Sequence, residues 1–547
     1  MSEHEPVVRT PILIVGGGPI GLSLAADLGW RGVSCMVVDQ GKGPSDFPRA
    51  NAENARTMEF FRRWGIADKV RTSGTPEDFP HTVLYITSLT GHEIARFDRP
   101  GHGGKGPTVL SPERPQRCNQ LWLDPILREL ATGFETVTLQ PNCRFESYVE
   151  TDEGIEAKVI DLPTGQHRTI IADYLVACCG GRSSIAKTLG IEMHGNPALE
   201  YNVNIFFRSP ELWSHHDKGK AALHFIIGET GVWGVLVEIN GQDFWRLGLR
   251  GKHVYDAMDK LDPDELIRKA VGADIDYEVV SISRWLSRDL VADSYGRGRV
   301  VLAGDAAHQN TPQGGFGLNT GMGDAIDLGW KLAALVQGWG GPELLNSYET
   351  ERRPVAVRNV GQATENITIQ KKLSIDPRIV QEGPEADAAR KALGDEIRGN
   401  SRRTYMTDGT ALGYRYENSP ICWDDDGGDW VDTITEYKPT SRPGSRAPHA
   451  WLADGRSMLD LFGHGFTLLR LGEQAPDTAP FEKAFGDRGV PLSVHTISEP
   501  PVAALYERAL VLVRPDGHVA WRGNALPADP AAIVERVRGA SQAVADA

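Results

Sequence analysis

The sequence predicts an α/β protein in which a parallel sheet is interrupted by an antiparallel sheet and followed by a smaller α/β unit. Three observations predict this fold class. Residues 11–39 have the pattern strand, glycine turn, helix, strand; residues 201–250 alternate as strands do and are rich in aromatic side chains; beyond residue 450, strand and helix patterns alternate again. With 547 residues the chain exceeds the usual size of one core, so we expect two or three domains.

Four apolar segments predict the parallel sheet. Ile12–Val15 is a continuous apolar run, as expected for a parallel strand that is buried on both faces. Leu22–Trp30 suits a helix, and Val33–Val38 is a second buried strand. Residues 174–178 and 299–303 are two more such strands, and each runs directly into glycines. The sheet is therefore assembled from distant parts of the chain.

The region between these segments predicts an antiparallel sheet inserted between the two halves of the first fold. The aromatic and aliphatic pattern in this region is carried by Phe206, His224, Trp233, Val235, Trp245 and Leu247. After the last parallel strand, residues 323–336 have helical periodicity. The apolar face of that helix consists of Ala325, Leu328, Gly329, Leu332, Leu335 and Val336.

A polar stretch at about residues 395–450, with clusters of Gly, Pro and Asp, predicts a domain boundary. Beyond it, Phe466–Leu471 and Leu492–Ile497 suit strands with a helix between them. Leu510–Val513 and His518–Trp521 flank a Pro-Asp-Gly turn and predict a hairpin. Ala531–Val544 suits a closing helix.

Composition narrows the function classes. A net charge of −15 argues against nucleic acid or an anionic membrane as a partner, because both repel an acidic surface. The N-terminal segment shows no secretory signal, and no apolar run is long enough to span a bilayer. The cysteines form no CxxC pair, which suits reduced thiols better than disulfides or a zinc site; they are Cys35, Cys118, Cys143, Cys178, Cys179 and Cys422. We expect a soluble, cytoplasmic protein.

A GxGxxG motif stands at the predicted turn from strand to helix. Gly16 permits the tight turn, Gly18 lets the backbone approach a pyrophosphate, and Gly21 permits close packing of helix and strand. Asp39 ends the second strand 18 residues after Gly21, where an acid binds ribose hydroxyls. A glycine-rich turn without a ligand is the alternative, but strand, helix and acid in register favour an adenine dinucleotide.

A second motif, near residue 300, is more specific. The run RVVLAGDAAH at 299–308 is followed by PQGGFGLN at 312–319, and matching residues continue to Pro354. Here the chain resembles the class A flavoprotein aromatic hydroxylases, the group that includes the phenol hydroxylases. In that family a Gly-Asp pair holds the flavin ribityl chain, which implies this role for Gly304 and Asp305. The glycine-rich loop then enters a helix whose N-terminus suits negative charge on a reduced flavin.

The resemblance implies a bound FAD and a transient co-substrate, NAD(P)H, which has no domain of its own. The resemblance also implies that two arginines, Arg49 and Arg117, contact the flavin. The full set of predicted cofactor contacts is Gly16, Gly18, Pro19, Ile20, Gly21, Asp39, Gln40, Arg49, Arg117, Gln120, Phe145, Gly180, Gly304, Asp305, Pro312, Gly315, Gly317, Leu318 and Asn319.

The resemblance also implies a division into domains. The FAD-binding domain would comprise 1–80, 105–195 and 285–395, and the substrate-binding sheet 81–104 and 196–284. Residues 396–547 would form a linker and a thioredoxin-like domain, which lacks CxxC and suits a structural or homodimer-forming role. Three histidines, His308, His449 and His464, are interpreted as structural.

Two positions depart from the family pattern. Cys179 stands where the family usually has an Asp that binds FAD and helps NAD(P)H approach; a neutral thiol lacks that carboxylate's charge and acceptor strength. Asn51 matches the position of an Asp that deprotonates the substrate in phenol hydroxylases. The docking of NAD(P)H and the base therefore stay open.

The implied reaction is hydroxylation of a phenol by NAD(P)H and O₂ through a flavin C4a-hydroperoxide. The Pro312 loop would lie beside the hydroperoxide, and His224 would contact the substrate. Alternatives are an FAD-dependent dehydrogenase or epoxidase, or a non-catalytic protein on the same fold. A flavin halogenase would carry a Trp-x-Trp-x-Ile-Pro segment, which is absent from this chain.

Overall fold

The computed structural model describes residues 7–99, 108–423, 425 and 431–540. The N-terminal residues 1–6, most of the Asp-Gly cluster at 424–429 and the last positions of the predicted closing helix, 541–544, lie outside the described residues. Strands and helices are numbered below in chain order. The described strands form three sheets, two of eight strands and one of four.

The first sheet has the order β14-β15-β8-β1-β2-β5, with β6 and β7 attached antiparallel beside β8. The central strands are parallel, and Ile12 and Ile14 are fully buried within them. Its strands are β1 (Val7–Val15), β2 (Cys35–Val38), β5 (Val137–Gln140), β6 (Cys143–Thr151), β7 (Gly154–Asp161), β8 (His167–Ala177), β14 (Gly296–Arg297) and β15 (Val300–Leu302).

The second sheet is the inserted one, with the order β16-β13-β9-β12-β11-β10-β3-β4. All its pairings are antiparallel except β10 with β3, so the segment around residue 85 joins the later insertion in one sheet. Its strands are β3 (Val83–Ile86), β4 (Glu93–Phe97), β9 (Met193–Arg208), β10 (Leu223–Gly228), β11 (Gly231–Glu238), β12 (Phe244–Arg250), β13 (Glu278–Ala292) and β16 (His308–Gln309).

The third sheet has the order β18-β17-β19-β20, with one parallel and two antiparallel pairings. This is the sheet of the predicted thioredoxin-like domain. Its strands are β17 (Phe466–Leu471), β18 (Leu492–Ile497), β19 (Leu510–Val513) and β20 (Val519–Gly523).

Fourteen α-helices cover these sheets in the described ranges. Helix α1 packs between α4 and α8, and the long α9 lies along α8. The helices are α1 (Pro19–Trp30), α2 (Ala55–Arg63), α3 (Ala67–Arg71), α4 (Gln120–Thr132), α5 (Ser184–Thr188), α6 (Lys252–Asp256), α7 (Pro263–Val271), α8 (Phe316–Val336), α9 (Glu343–Lys371), α10 (Pro384–Tyr405), α11 (Asp408–Leu412), α12 (Ala479–Gly486), α13 (Pro500–Tyr506) and α14 (Pro530–Val537).

Helix α8 begins at Phe316, seven residues before the predicted start. Glycines disfavour helix in isolation, but here they admit close neighbours. A Cβ atom at Gly321 would lie 2.7 Å from Ile20 Cδ1, and one at Gly329 would lie 2.2 Å from Asp27 Oδ2. Tertiary packing against α1 therefore overrides the local preference.

Three predicted domain boundaries fall inside regular elements. Residue 196 lies within β9 and residue 285 within β13, and each strand continues without a break across the predicted boundary. Residue 395 lies within α10, whose Leu393 and Ile397 are buried against β4. Because these apolar residues are separated by charged ones, the sequence of this helix resembles a polar linker.

Candidate active site

The first glycine turn has the geometry that its sequence predicts. Gly16 has φ +113°, and a Cβ atom there would lie 2.4 Å from the Cys178 carbonyl oxygen. At Gly21 a Cβ atom would lie 2.0 Å from the Gly16 oxygen. Gly18, by contrast, has open space in front of it and caps α1 without a side-chain hydrogen bond. The free N–H groups beyond Gly18 make a cradle for a diphosphate.

Asp39 supports this turn with both carboxylate oxygens. Its Oδ2 accepts from the Gly17 N–H at 2.5 Å, and its Oδ1 accepts from the Gly41 N–H at 2.6 Å. A carboxylate has further acceptor capacity on each oxygen, so ribose hydroxyls can still bind there. The next residue, Gln40, is exposed, and Phe145 on β6 is half-buried against the core.

The second glycine-bearing turn meets the first one directly. Gly304 has φ +59°, and a Cβ atom there would lie 3.0 Å from Ile20 Cγ1. Asp305 is open to solvent although protein surrounds it closely. The surrounding protein keeps part of the solvent away and so raises the pKa of the Asp305 carboxyl, against the opposing effects of nearby His308 and Arg49. Asp305 and the exposed Arg49 therefore face a common cleft, which suits a ribityl chain and a flavin ring.

Beneath the second turn lies a buried ionic network that sequence reasoning missed. Asp324 Oδ2 accepts from the Gly304 N–H at 3.1 Å and lies 2.8 Å from His308 Nε2, while Oδ1 accepts from Arg352 Nε at 2.9 Å. His308 and Arg352 lower the pKa of Asp324 despite its burial. The signal was present in the sequence as Asp324 and the RRP run at 352–354, but their pairing was not.

The loop from Pro312 to Asn319 forms another wall of the cleft. Pro312 is exposed, and the residues behind it turn sharply because Gly314 and Gly315 have φ of +97° and +70°. Gly315 then caps α8 without a side-chain hydrogen bond, so the N–H groups of this helix end stay available. Gly317 and Leu318 follow in the first turn of α8 and are half-buried.

Asn319 binds protein through every side-chain atom that can form hydrogen bonds. Its Oδ1 accepts from the Asn54 N–H and the Thr57 hydroxyl, and its Nδ2 donates to the carbonyls of Ala52 and Gly315. The side chain therefore joins α8 to the segment before α2. The side chain makes Asn319 a positioning residue for the loop, and the contact of this residue with the cofactor stays a prediction.

Asn319→Ala is expected to raise the Kd for FAD about tenfold, because three hydrogen bonds from this side chain hold the loop against residues 52–57, and we expect about 1.4 kcal/mol of their combined contribution to reach the cofactor site. Titration of apoprotein with FAD, followed by flavin fluorescence, measures this change. Asn366→Ala is the control, because that buried amide bonds only within α9. An equal loss of affinity in both variants would contradict the positioning role.

Arg117 pairs with an acid of the second sheet. Its Nε donates to Glu238 Oε1 at 2.8 Å, and both side chains are buried. A buried guanidinium takes its countercharge from the nearest acid, and the sequence does not show that Glu238 from β11 comes within reach. Gln120, the other predicted contact here, donates to Asp124 at 3.1 Å. Arg117 therefore joins the segment before α4 to β11 of the second sheet, while the Gln120 side chain bonds within α4.

His224 faces away from the cleft, which corrects the predicted substrate contact. Its ring lies 6.2 Å from both Trp213 and Trp245, and its Nδ1 lies 3.4 Å from the Leu236 oxygen. Burial lowers its pKa to about 3, so the ring is neutral. The adjacent residue Leu223 packs on the opposite, cleft-facing side. Successive side chains of a strand point to opposite faces of the sheet, so His224 and Leu223 lie on opposite faces.

Arg246 on β12 occupies the cleft-facing side, where sequence reasoning named no residue. Its neighbours on this face are apolar, namely Phe206, Val237, Ile239 and Phe244. Burial, with a smaller effect of nearby Arg117, lowers the pKa of Arg246 to about 10. Within the described residues no carboxylate pairs with it, and its one hydrogen bond reaches the Pro48 oxygen at 3.4 Å.

Cys179 lies at the cleft beside Gly180, which has φ +79°. The Cys179 Sγ is 3.1 Å from Ser183 Oγ, the cap of α5. Burial raises the pKa of the Cys179 thiol, so this position carries no charge at neutral pH. The thiol therefore packs at the cleft edge as a small neutral group.

Comparison with known proteins agrees with this site. The FAD binding domain family matches residues 9–363, about two thirds of the chain, and the family of aromatic-ring hydroxylase C-terminal domains matches residues 440–541. The chain belongs to the FAD-dependent aromatic-ring hydroxylases. This hydroxylase is therefore a flavoprotein monooxygenase that acts on an aromatic substrate, as the sequence predicted.

Individual relatives extend over nearly the whole hydroxylase. It is 33% identical to 4-methyl-5-nitrocatechol 5-monooxygenase of Burkholderia sp., over 98% of each chain. The rebeccamycin biosynthetic enzyme RebC, solved with reduced flavin, is 41% identical with a TM-score of 0.90, covering 98% of this chain and 100% of RebC. The monooxygenase PieE, solved with FAD and substrate, is 30% identical with a TM-score of 0.88, again over 98% and 100%. The predicted fold class and FAD cofactor are confirmed.

Proposed function

We propose that this monooxygenase hydroxylates a phenol that carries an acidic group, and that Arg246 binds this group. The observation that carries the proposal is a half-buried arginine with an enclosed Nε, set among apolar residues, with no carboxylate partner in the described parts of the chain. Burying an unpaired charge is costly, so a ligand that supplies the countercharge gains affinity. A carboxylate or a phenolate oxygen supplies it.

A structure of the relative RebC contains a carboxylated molecule, 7-carboxy-K252c, which agrees with an acidic substrate. The bound FAD supplies electron transfer and activation of oxygen. The chain's own residues hold the cofactor at the two glycine-bearing turns, orient the substrate against the second sheet and exclude water with Phe206, Val237 and Phe244. NAD(P)H approaches the flavin without help from a carboxylate at position 179, where this chain has Cys179.

The test is a panel of paired phenols, each with and without a carboxylate, assayed with NAD(P)H under ¹⁸O₂. We expect the acidic members to stimulate NAD(P)H oxidation and to gain one ¹⁸O atom as a new hydroxyl group on the ring. Oxidised products without ¹⁸O would instead indicate a dehydrogenase, and ¹⁸O in an epoxide would indicate an epoxidase. Equal stimulation by neutral and acidic members would overturn the role of Arg246.

Arg246→Leu is expected to raise KM for an acidic phenol about 10- to 100-fold, since a hydrogen bond to a charged group contributes about 1.5–3 kcal/mol. FAD content and turnover with the matching neutral phenol should stay within about twofold of wild type, because the cofactor turns are untouched. Steady-state kinetics on both phenols measure this. Arg208→Leu is the control, because Arg208 pairs with Asp243 at the exposed end of β9 in the same sheet.

Two coarser expectations are part of the same proposal. The six cysteines are all free thiols in the structure, which supports a reducing, cytoplasmic environment. A homodimer is proposed from the resemblance to the family, and sedimentation of the purified enzyme tests it. Within the described ranges, no helix has the length and apolar character that crossing a bilayer requires.

A further inference from the structure

The hairpin of the third domain is inserted deeply into the cofactor domain. The carbonyl oxygens of its turn, Pro515–Gly517, accept hydrogen bonds from three arginines, two in α2 and one directly after α1. Arg63 donates to the Pro515 oxygen at 3.1 Å, and Arg56 donates to the Asp516 oxygen at 2.7 Å. Arg31 donates to the Pro515 oxygen at 3.4 Å. The turn is therefore part of the interior and is not a surface loop.

Arg514, at the base of this hairpin, is the centre of a buried ionic cluster. Its guanidinium donates to Glu351, Asp327 and Asp516, and Lys331 donates to two of the same carboxylates. These charged side chains are 0–2% exposed. Apolar residues can often replace a buried ionic cluster without loss of stability. The presence of this cluster therefore points to a role in fixing a particular geometry.

The cluster is connected to the turn at Gly304 by adjacent residues of α9. Glu351 binds Arg514, and the next residue, Arg352, binds Asp324, which in turn accepts from the Gly304 N–H. Arg352 also donates to the Thr320 oxygen at 2.9 Å and to the Tyr416 hydroxyl at 3.3 Å.

A second connection runs through aromatic rings. The ring of Tyr416 lies 4.3 Å from that of His518 in the hairpin. The Arg514 guanidinium stands 5.1 Å from the Tyr416 ring centre. Two contacts therefore join the hairpin to Arg352, one through charges and one through Tyr416.

We propose that the hairpin of the third domain holds the Gly304–Asp305 turn in the shape that binds FAD, with Arg514 and Arg352 as positioning residues. The proposal rests on the proposed contact between this turn and the flavin. It gives the third domain, which lacks a dithiol motif, a role inside its own chain: it completes the cofactor site from behind.

The test uses the full-length apoprotein at a temperature where every variant is folded. Arg514→Met is expected to raise the Kd for FAD at least tenfold and to speed amide hydrogen exchange in the peptide that contains residues 303–308. Arg514→Lys should give a smaller change of the same kind, because one ammonium group cannot reproduce the fork that reaches three carboxylates. The Lys variant also serves if the Met variant does not fold.

Arg446→Met is the matched control. Arg446 is also buried and also crosses between domains, where its Nε donates to Glu59 Oε2 at 3.0 Å; among the described residues its side chain makes no hydrogen bond to Arg514, Glu351, Arg352 or Asp324. We expect it to lower stability while the Kd for FAD and exchange at 303–308 stay within about twofold of wild type. An equal effect of Arg446→Met, or unchanged affinity and exchange in the Arg514 variants, overturns the proposal.

Asp305→Ala distinguishes a failure of this proposal from a failure of the proposed contact between the Gly304–Asp305 turn and FAD. If Asp305→Ala leaves the Kd for FAD unchanged, the turn does not contact the cofactor and that proposed contact fails. Hydrogen exchange in apoprotein needs no cofactor, so it still decides whether the hairpin orders the turn. Slower exchange at 303–308 in wild type than in Arg514→Met supports the hairpin's role, and identical exchange refutes it.

Discussion

Gly16→Ala is expected to abolish FAD binding and to destabilise the apoprotein. The new Cβ atom would lie 2.4 Å from the Cys178 oxygen and 3.0 Å from the Cys179 Cα, and both are backbone atoms that cannot rotate away. In addition, φ +113° is a conformation that costs a residue with a side chain about 1–3 kcal/mol. The turn must therefore shift, and the first strand must move away from β8. Flavin absorbance of the purified protein and denaturant unfolding measure the two effects.

Gly18→Ala should weaken FAD binding without destabilising the fold. No atom lies within 4 Å of a Cβ at Gly18, so the apoprotein should be as stable as wild type while the Kd for FAD rises by about 100-fold or more, because the methyl group occupies the diphosphate cradle. Gly361→Ala, in an open position of α9, should bind FAD normally and gain about 0.5–1 kcal/mol. Normal FAD binding by Gly18→Ala would show that the diphosphate lies elsewhere.

Glu351→Gln is expected to cost about 1–3 kcal/mol of unfolding free energy, because a neutral amide is a weaker acceptor for two buried cations and leaves part of their hydrogen bonding unmet. Glu351 is fully buried and accepts from Lys331 at 2.6 Å and from Arg514 at 2.5 Å. Removing its charge leaves two buried cations with Asp327 and Asp516 as their remaining counterions. These two cations hold Glu351 ionised, which is why its pKa is lowered to about 2 although it is buried. Guanidinium unfolding, monitored by tryptophan fluorescence, measures the loss.

The matched control is Glu365→Gln, which removes an acid on the same helix α9. Glu365 pairs with Arg403 and is 48% exposed, so its loss should cost less than about 1 kcal/mol. Equal costs for the two variants would mean that the buried cluster adds no more to stability than a surface ion pair.

Much of the cofactor site is local and was therefore predictable. Gly16, Gly21 and Gly304 occupy backbone conformations or close approaches that only glycine tolerates, so their spacing encodes the two turns directly. Strands β17 and β18 coincide with the predicted ranges: β17 is a buried, mostly apolar run, and the edge strand β18 alternates apolar and polar residues. The resemblance to the hydroxylases rested on these same local motifs.

The errors share a different cause. Periodicity placed His224 in a strand, but which face of a strand meets the cleft depends on what covers the other face, here Trp213 and Trp245. The sequence predicts a linker for the second half of helix α10 because its apolar residues are few and its partner, β4, lies nearly 300 positions earlier. No window of sequence contains that partner.

The sequence by itself determined the order of elements, the two glycine-bearing turns and the family, because each depends on residues that are close together in the chain. Only the tertiary structure decided the partners of the charged residues: Arg117 with Glu238, Arg352 with Asp324, Arg514 with Glu351 and Asp327, and Arg246 with none among the described carboxylates. An ion pair depends on distance in space and on burial, and neither is a property of spacing along the chain. For this hydroxylase, those long-range pairs decide what the cleft offers to a substrate.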